Sequence, residues 1–308
     1  MKRAGVVLGS MSLAVLNFAV WAGAQTGAQP AQQTSPAAGQ TAPAQGAQPA
    51  TPAGPAAKRP PQAKTQPEFD AYKAAATLTD PAAAEKASDD FATKFPDSEI
   101  RILLYTNAMR LYQGANNPEK TEAMGRKMLA LDPDNPEALV TVAEVVAERT
   151  RDSDIDKDQH YAEAVGMAQK ATTTVDTDIQ VPAGTPQDRI DAYKALLRSR
   201  AYSIIGTIEF KKENYSAAAE NLQKSIDVYP SDPDKVVVLR LALTLDKEQK
   251  YPEALKVANR AVELTTGQGQ ETGIVGSAAR KERDRLQQLT GAAAPVAPAT
   301  QPTTPPKN

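Results

Sequence analysis

Three stretches of the chain share one pattern of apolar and polar positions. Tyr161, Ala164, Ala168 and Ala171 recur as Tyr215, Ala218, Leu222 and Ser225, and again as Tyr251, Ala254, Ala258 and Ala261. The offsets of 3, 7 and 10 put all four residues on one face of an α-helix. Small side chains there let a neighbouring helix approach closely, and the leading Tyr fills the gap where the two helices meet. Each copy follows another apolar helix: Tyr202, Ile205, Gly206 and Phe210 precede Tyr215, and Val238, Leu241, Ala242 and Leu245 precede Tyr251. Pro96, Pro133 and Pro230 mark ends of units, because proline cannot continue a helix. The pattern predicts paired helices over residues 66–290. The region is poor in aromatics and rich in Ala, which favours helices over strands.

These residues resemble the tetratricopeptide-repeat family, whose consensus unit is 34 residues long. Residues 199–232 match best, through Tyr202, Ile205, Gly206, Tyr215, Ala218 and Pro230. Residues 235–268 match nearly as well, with Thr266 in place of the closing proline. Residues 102–135 match through Tyr105, Ala108, Tyr112 and Pro133, with Pro118 in place of the Tyr and Gly125 at a packing position. Residues 136–171 match with an enlarged turn, and residues 65–98 are held mainly by Ala71, Ala84 and Pro96. The resemblance implies an all-α, right-handed superhelical solenoid of about five helix pairs. Glu271 to Leu289 reads as a charged helix capping its end.

The second helices are expected to begin at Pro81, Pro118, Tyr161, Tyr215 and Tyr251, at separations of 37, 43, 54 and 36. The excess over 34 places insertions near 149–159 and 172–187. Thr185-Pro186-Gln187-Asp188 reads as a helix start, with Thr185 as N-cap and Pro186 at the first helical position. No breaker follows until after Lys212, which predicts one helix of about 25 residues whose extra turns project from the array.

The resemblance also implies that the first helix of each pair lines a concave groove that takes an extended peptide or a partner helix. The outward positions are Leu103, Thr106 and Arg110, then Glu137, Val140 and Glu144, then Arg200, Ser203, Thr207 and Lys211, then Val236, Leu239 and Leu243. Facing the groove, Val236, Leu239 and Leu243 would form an exposed apolar strip of the kind that marks binding surfaces. The alternative is cover by the capping helix through Ile274, Val275 and Leu286. Paired Lys, Asn and Arg of the family's carboxylate clamp are not evident, since only Arg110, Arg200 and Lys211 are scattered along the groove.

Asp152, Asp154 and Asp156 alternate, and Glu163 stands twelfth counting from Asp152, the ligand spacing of a calcium loop. Lys157 occupies the place of the turn glycine and Gln159 that of an apolar residue. The plainer reading is a solvated acidic turn, with Asp156 and Asp158 at the positive end of the next helix. Calcium is the sole cofactor the sequence raises.

Catalytic chemistry is poorly provided for. His160 is the only histidine, so histidine metal sites and Ser-His-acid triads lack parts. Gly267, Gly269 and Gly273 follow a helix rather than a strand, unlike a phosphate loop. There is no cysteine, so packing must hold the fold without disulfides or thiolate metal sites. From Glu68 to Arg285 the chain has 29 basic and 37 acidic residues, a net of −8. That field repels polyanions and argues against nucleic acid as a partner. A protein or peptide partner is the expectation.

The ends of the chain read differently. Lys2 and Arg3, the apolar run Ala4 to Val20, and Ala22-Gly23-Ala24 make a secretory signal peptide over 1–24, cleaved before Gln25. Uncleaved, the same segment would be a membrane anchor. Either way the positive end stays inside and the remainder is exported, periplasmic or extracellular. Residues 25–65 are rich in Ala, Pro and Gln and have almost nothing to bury, so a disordered linker is expected there, and a second such tail over 291–308.

Overall fold

In a computed structural model, the described residues are 58–181, 184–266 and 273–291. They form eleven α-helices and no strand. The expected signal peptide, the linker up to 57 and the tail beyond 291 lie outside them.

Five helix pairs follow one another. They are α1 (Gln66–Ala76) with α2 (Pro81–Lys94), α3 (Arg101–Gly114) with α4 (Pro118–Leu131), and α5 (Pro136–Arg149) with α6 (Lys157–Thr174). Then come α7 (Gln187–Lys211) with α8 (Tyr215–Val228) and α9 (Lys235–Lys247) with α10 (Tyr251–Thr265). Finally α11 (Ile274–Thr290) packs on α10 and α9. Each helix packs on its successor, and first helices also touch one another, as α1 on α3, α5 on α7 and α7 on α9. This is an all-α solenoid of stacked helix pairs.

The seams are built as the pattern predicts. Ala164, Ala168, Ala218, Leu222, Ala254, Ala258 and Ala261 are all at 0% exposure. Gly206 lets α8 come so close that a β-carbon there would stand 2.7 Å from Leu222 Cγ and 3.0 Å from its backbone nitrogen. Gly125 serves likewise, its would-be β-carbon 2.6 Å from Val142 Cγ2. The apolar interior is a succession of local clusters rather than one centre, each shared by consecutive helices. That is the energetics of a repeat array, in which units are stabilised by their neighbours.

Local chemistry sets the boundaries. Asp80, Asn117 and Asn135 cap α2, α4 and α5 through their side chains, each ahead of a proline in the first turn. Phe95, Asp132 and Tyr229 end α2, α4 and α8, each held out of the helical region by the proline that follows. Across the first seam the Tyr105 and Tyr112 hydroxyls donate to Asp89 (2.9 Å) and Glu85 (2.5 Å). Burial, then those carboxylates, push both phenols up to about 12.

Three expectations need correction. The helix α6 begins at Lys157, one turn before Tyr161, because the acidic insertion supplies helical residues of its own. Pro186, at φ −59° and ψ 143°, is extended and caps α7 itself, so Thr185 lies one residue outside the cap. The 25-residue length of α7 is as expected, but its extra turns do not stand free. Leu197 (1% exposed) and Tyr193 pack against Val175 (0%), Ile179 (4%) and Val181 of the preceding loop, a satellite core that fills the insertion.

The folded part also begins earlier than expected. Residues 58–65, counted above as linker, precede α1 and are held by ion pairs and main-chain hydrogen bonds. Glu68, 3% exposed, anchors their end: it closes a capping box with Thr65, accepts from the Lys64 amide (2.7 Å) and from Ser98 (2.5 Å). The Ser98 hydroxyl outweighs burial and, with those amides, holds the Glu68 carboxyl below its usual range.

Candidate functional site

The first helices α3, α5, α7 and α9 carry the expected groove residues, and the structure joins many of these to one another. Arg110 of α3 makes a two-pronged ion pair with Glu137 of α5, Nε to Oε1 at 2.7 Å and Nη2 to Oε2 at 2.8 Å. Glu144 of α5 pairs with Arg200 of α7. Lys211 of α7 donates to the Ala147 carbonyl (2.7 Å) and sits 5.3 Å over the Tyr161 ring. Thr207 of α7 accepts from Arg240 Nη1 of α9 (2.8 Å). The result is a polar ladder running from repeat to repeat.

Its electrostatics follow from this geometry. Burial alone would raise Glu137, but Arg110 and then the Tyr193 hydroxyl overcome it and hold the carboxyl below its usual range. Burial raises the Tyr193 phenol, and Glu137 beside it raises it further. Burial lowers Lys211 and Arg240, each short of a close carboxylate. Arg200 keeps one buried nitrogen, Nε, without a protein partner.

Arg110 and Lys211 are exposed, while Leu103, Thr106, Glu137, Glu144, Arg200, Thr207, Val236 and Leu243 are half-buried. Three expected groove residues are closed. Val140 is 0% exposed, Ser203 7% and Leu239 1%. Each lies three residues after the first outward position of its helix, and that row turns into the seams. Val140 joins the cluster containing Ala201 and Ile204 of α7, and Leu239 the one containing Leu222 and Ile226 of α8. The apolar strip is therefore not open. Val275 of α11 joins the Leu239 cluster and Leu286 (0%) packs on Ala242 and Ala254, while Ile274 stays 63% exposed. At the other end, Leu103 lines a cavity of about 560 Å³ with Pro61, Ala63, Phe69, Tyr72 and Ile100.

Tyr193 and Arg240 were missed. Tyr193, Arg200 and Thr207 are spaced by seven, which puts them on one helix face and was a usable signal. For Arg240 the signal was weaker, since the apolar neighbour Leu239 looked like the outward residue.

The acidic insertion does not gather its carboxylates. Glu163 stands within α6 and is paired to Arg126 at 2.8 Å. Asp154 accepts from the Arg151 amide at 2.8 Å, and Asp156 faces His160 at 3.3 Å. Asp152 is exposed. Among the described residues no three His, Asp or Glu side chains converge as metal ligands. The second half of the would-be calcium loop is helical, since α6 begins at Lys157.

Fold and face together define a repeat array of helix pairs with a charged and polar row along its first helices. Among solved structures, the chain is similar to the MamA protein at 16% identity and a TM-score of 0.37, over 64% of this chain and 98% of that one. It is similar also to Acl4, an assembly chaperone of RpL4, at 12% identity and a TM-score of 0.36, over 73% of this chain and 99% of that one. No family model and no curated protein matches.

Proposed function

We propose that this chain is an exported, non-catalytic adaptor that holds a peptide or protein partner along the first-helix face of its repeat array. The observation that supports this most directly is the row of charged and polar groups shared between consecutive first helices, from Arg110 through Glu137, Glu144 and Arg200 to Thr207 and Arg240. Such a row fixes the relative placement of the repeats while leaving Arg110 and Lys211 reachable from solvent. A polar, pre-shaped face of this kind suits an extended polypeptide, whose own carbonyls and side chains can add to it. Export is read from the leader pattern of residues 1–24.

Photo-crosslinking in the native host tests the face. A benzophenone side chain is placed at Thr207 or Val236, and, as a control, at Gln223 on α8. The same adduct from Thr207 and Val236 but not from Gln223 is the expected result, and equal trapping from all three positions would rule the face out. Export is tested separately. N-terminal sequencing of the extracytoplasmic chain is expected to begin at Gln25, whereas an intact leader that stays with membranes after alkaline washing would make the segment an anchor. Among the described residues, no helix is long and apolar enough to cross a membrane.

A further inference from the structure

Residues 58–64 read Lys-Arg-Pro-Pro-Gln-Ala-Lys, and they lie across loops that connect one repeat to the next. Lys58 Nζ reaches Asp132 at 2.7 Å and Asp178 at 3.3 Å, and its amide donates to the Thr177 carbonyl at 2.9 Å. Arg59 Nη2 touches both oxygens of Glu99, at 2.9 and 2.8 Å. The Gln62 amide approaches the same carboxylate at 3.4 Å, and Lys64 Nζ donates to the Asp97 carbonyl at 2.9 Å. One short segment thus bridges the α2–α3, α4–α5 and α6–α7 connections.

Among the described residues, Lys58 and Arg59 are the only cations within ion-pair distance of Glu99, Asp132 and Asp178. Asp132 is only 8% exposed at its side chain, and Gln180 Nε2 also donates to it at 3.3 Å. The segment is also pre-shaped for the task, because Pro60 and Pro61 favour an extended backbone before any contact forms. Pro61 and Ala63 wall the cavity whose far side is Phe69, Tyr72 and Leu103.

We infer that the loop edge bearing Glu99, Asp132 and Asp178 is a recognition surface for an extended, basic, proline-containing peptide, and that the chain's own Lys58–Lys64 segment occupies it in cis. The segment runs directly into α1 of the same array, so its local concentration at the surface is high and an outside peptide of equal quality loses the competition. The attraction is between partly exposed charges and weakens as salt rises. Its charged anchors are distinct from the row running from Arg110 to Arg240, and the two surfaces adjoin at Leu103, which lines the same cavity as Pro61 and Ala63.

The test uses the full chain and a fluorescein-labelled peptide of residues 55–66, with anisotropy as the readout. At low salt, Lys58→Glu/Arg59→Glu protein is expected to bind the peptide at least tenfold more tightly than wild type. Adding Glu99→Gln and Asp178→Asn is expected to remove that binding, as is 0.5 M salt. Should the charge reversal disturb folding by circular dichroism, Lys58→Gln/Arg59→Gln replaces it. Absence of peptide binding to the folded variant, equal binding to both proteins, or binding that survives Glu99→Gln/Asp178→Asn each overturns the inference. Zero-length carbodiimide coupling of wild type identifies the occupant. A Lys58–Asp132 or Lys58–Asp178 link within monomers is expected; that link found only in dimers would assign the segment to a second copy and refute the cis arrangement.

Discussion

Gly206 and Gly166 form a matched pair on which the packing argument can be tested. Both are helical glycines, and each would gain helix propensity on replacement by alanine. At Gly206, in α7, the added β-carbon meets Leu222 Cγ at 2.7 Å, Cδ2 at 3.0 Å and the Leu222 nitrogen at 3.0 Å. Ordinary contact begins near 3.4 Å, and Leu222 is 0% exposed. A rotamer change cannot relieve a clash that includes backbone, so α7 and α8 must part by a few tenths of an ångström. Overpacking of this sort costs about 1–3 kcal/mol, against which alanine returns roughly 1 kcal/mol of helix propensity. The net expectation for Gly206→Ala is a loss of up to about 2 kcal/mol. Gly166, in α6, is exposed and has nothing within 4 Å of its would-be β-carbon. Gly166→Ala is expected to gain about 0.5–1 kcal/mol. Urea unfolding followed at 222 nm separates the two, with midpoints moving in opposite directions by a few tenths of a molar or more. A Gly206→Ala midpoint at or above wild type would show that the α7–α8 seam has slack, and the close-approach argument would fail.

Leu239→Glu is expected to unfold the last repeats, losing about 4 kcal/mol or more, because an unpaired carboxylate would sit at a position 1% exposed; loss of helical ellipticity checks it. Arg200→Met leaves Glu144 unpaired at 14% exposure and is expected to cost about 3–5 kcal/mol, most of it recovered in Arg200→Met/Glu144→Leu. A double-mutant cycle by urea unfolding reads the coupling. Glu137 and Glu85 have depressed carboxyls in the folded chain, so the unfolded chain takes up protons first as pH falls. Their stabilisation is complete above the ordinary value of 4.5 and disappears as pH drops through the folded values. The urea midpoint should therefore fall below pH 4.5, and Arg110→Met should flatten that fall in part, since Glu85 keeps its Tyr112 and Lys120 partners.

The helices were legible because seams advertise themselves locally. The spacing of Tyr215, Ala218, Leu222 and Ser225 is a property of one helix, and it located the start of α8 at Tyr215. The long α7 was legible from the absence of breakers. What the sequence hid depends on distant partners. The segment at Lys58 has no apolar period to betray it, and its anchors Glu99, Asp132 and Asp178 lie far along the chain. The burial of Val140 and Leu239 was hidden for a similar reason: whether an outward residue meets solvent or the next unit depends on how units stack. The acidic run from Asp152 matched a ligand spacing, but the spacing presumed a loop where α6 had already begun.

The connections within repeats carry one further implication. Asn116, Glu213 and Gln249 have φ of 54°, 62° and 61°, and each closes the turn from a first helix to a second. The same three bonds recur around them, as in Ala115 N to Leu111 O, Asn116 N to Gln113 O and Asn117 N to Tyr112 O. Around Glu213 and Gln249 the donors and acceptors are displaced in register but identical in offset. All nine atoms pairs are main chain, so the bend places almost no demand on side-chain identity beyond tolerance of a left-handed residue. Such corners can drift in spelling while the architecture persists, which leaves kinship between repeats written in the buried faces and erased from the bends.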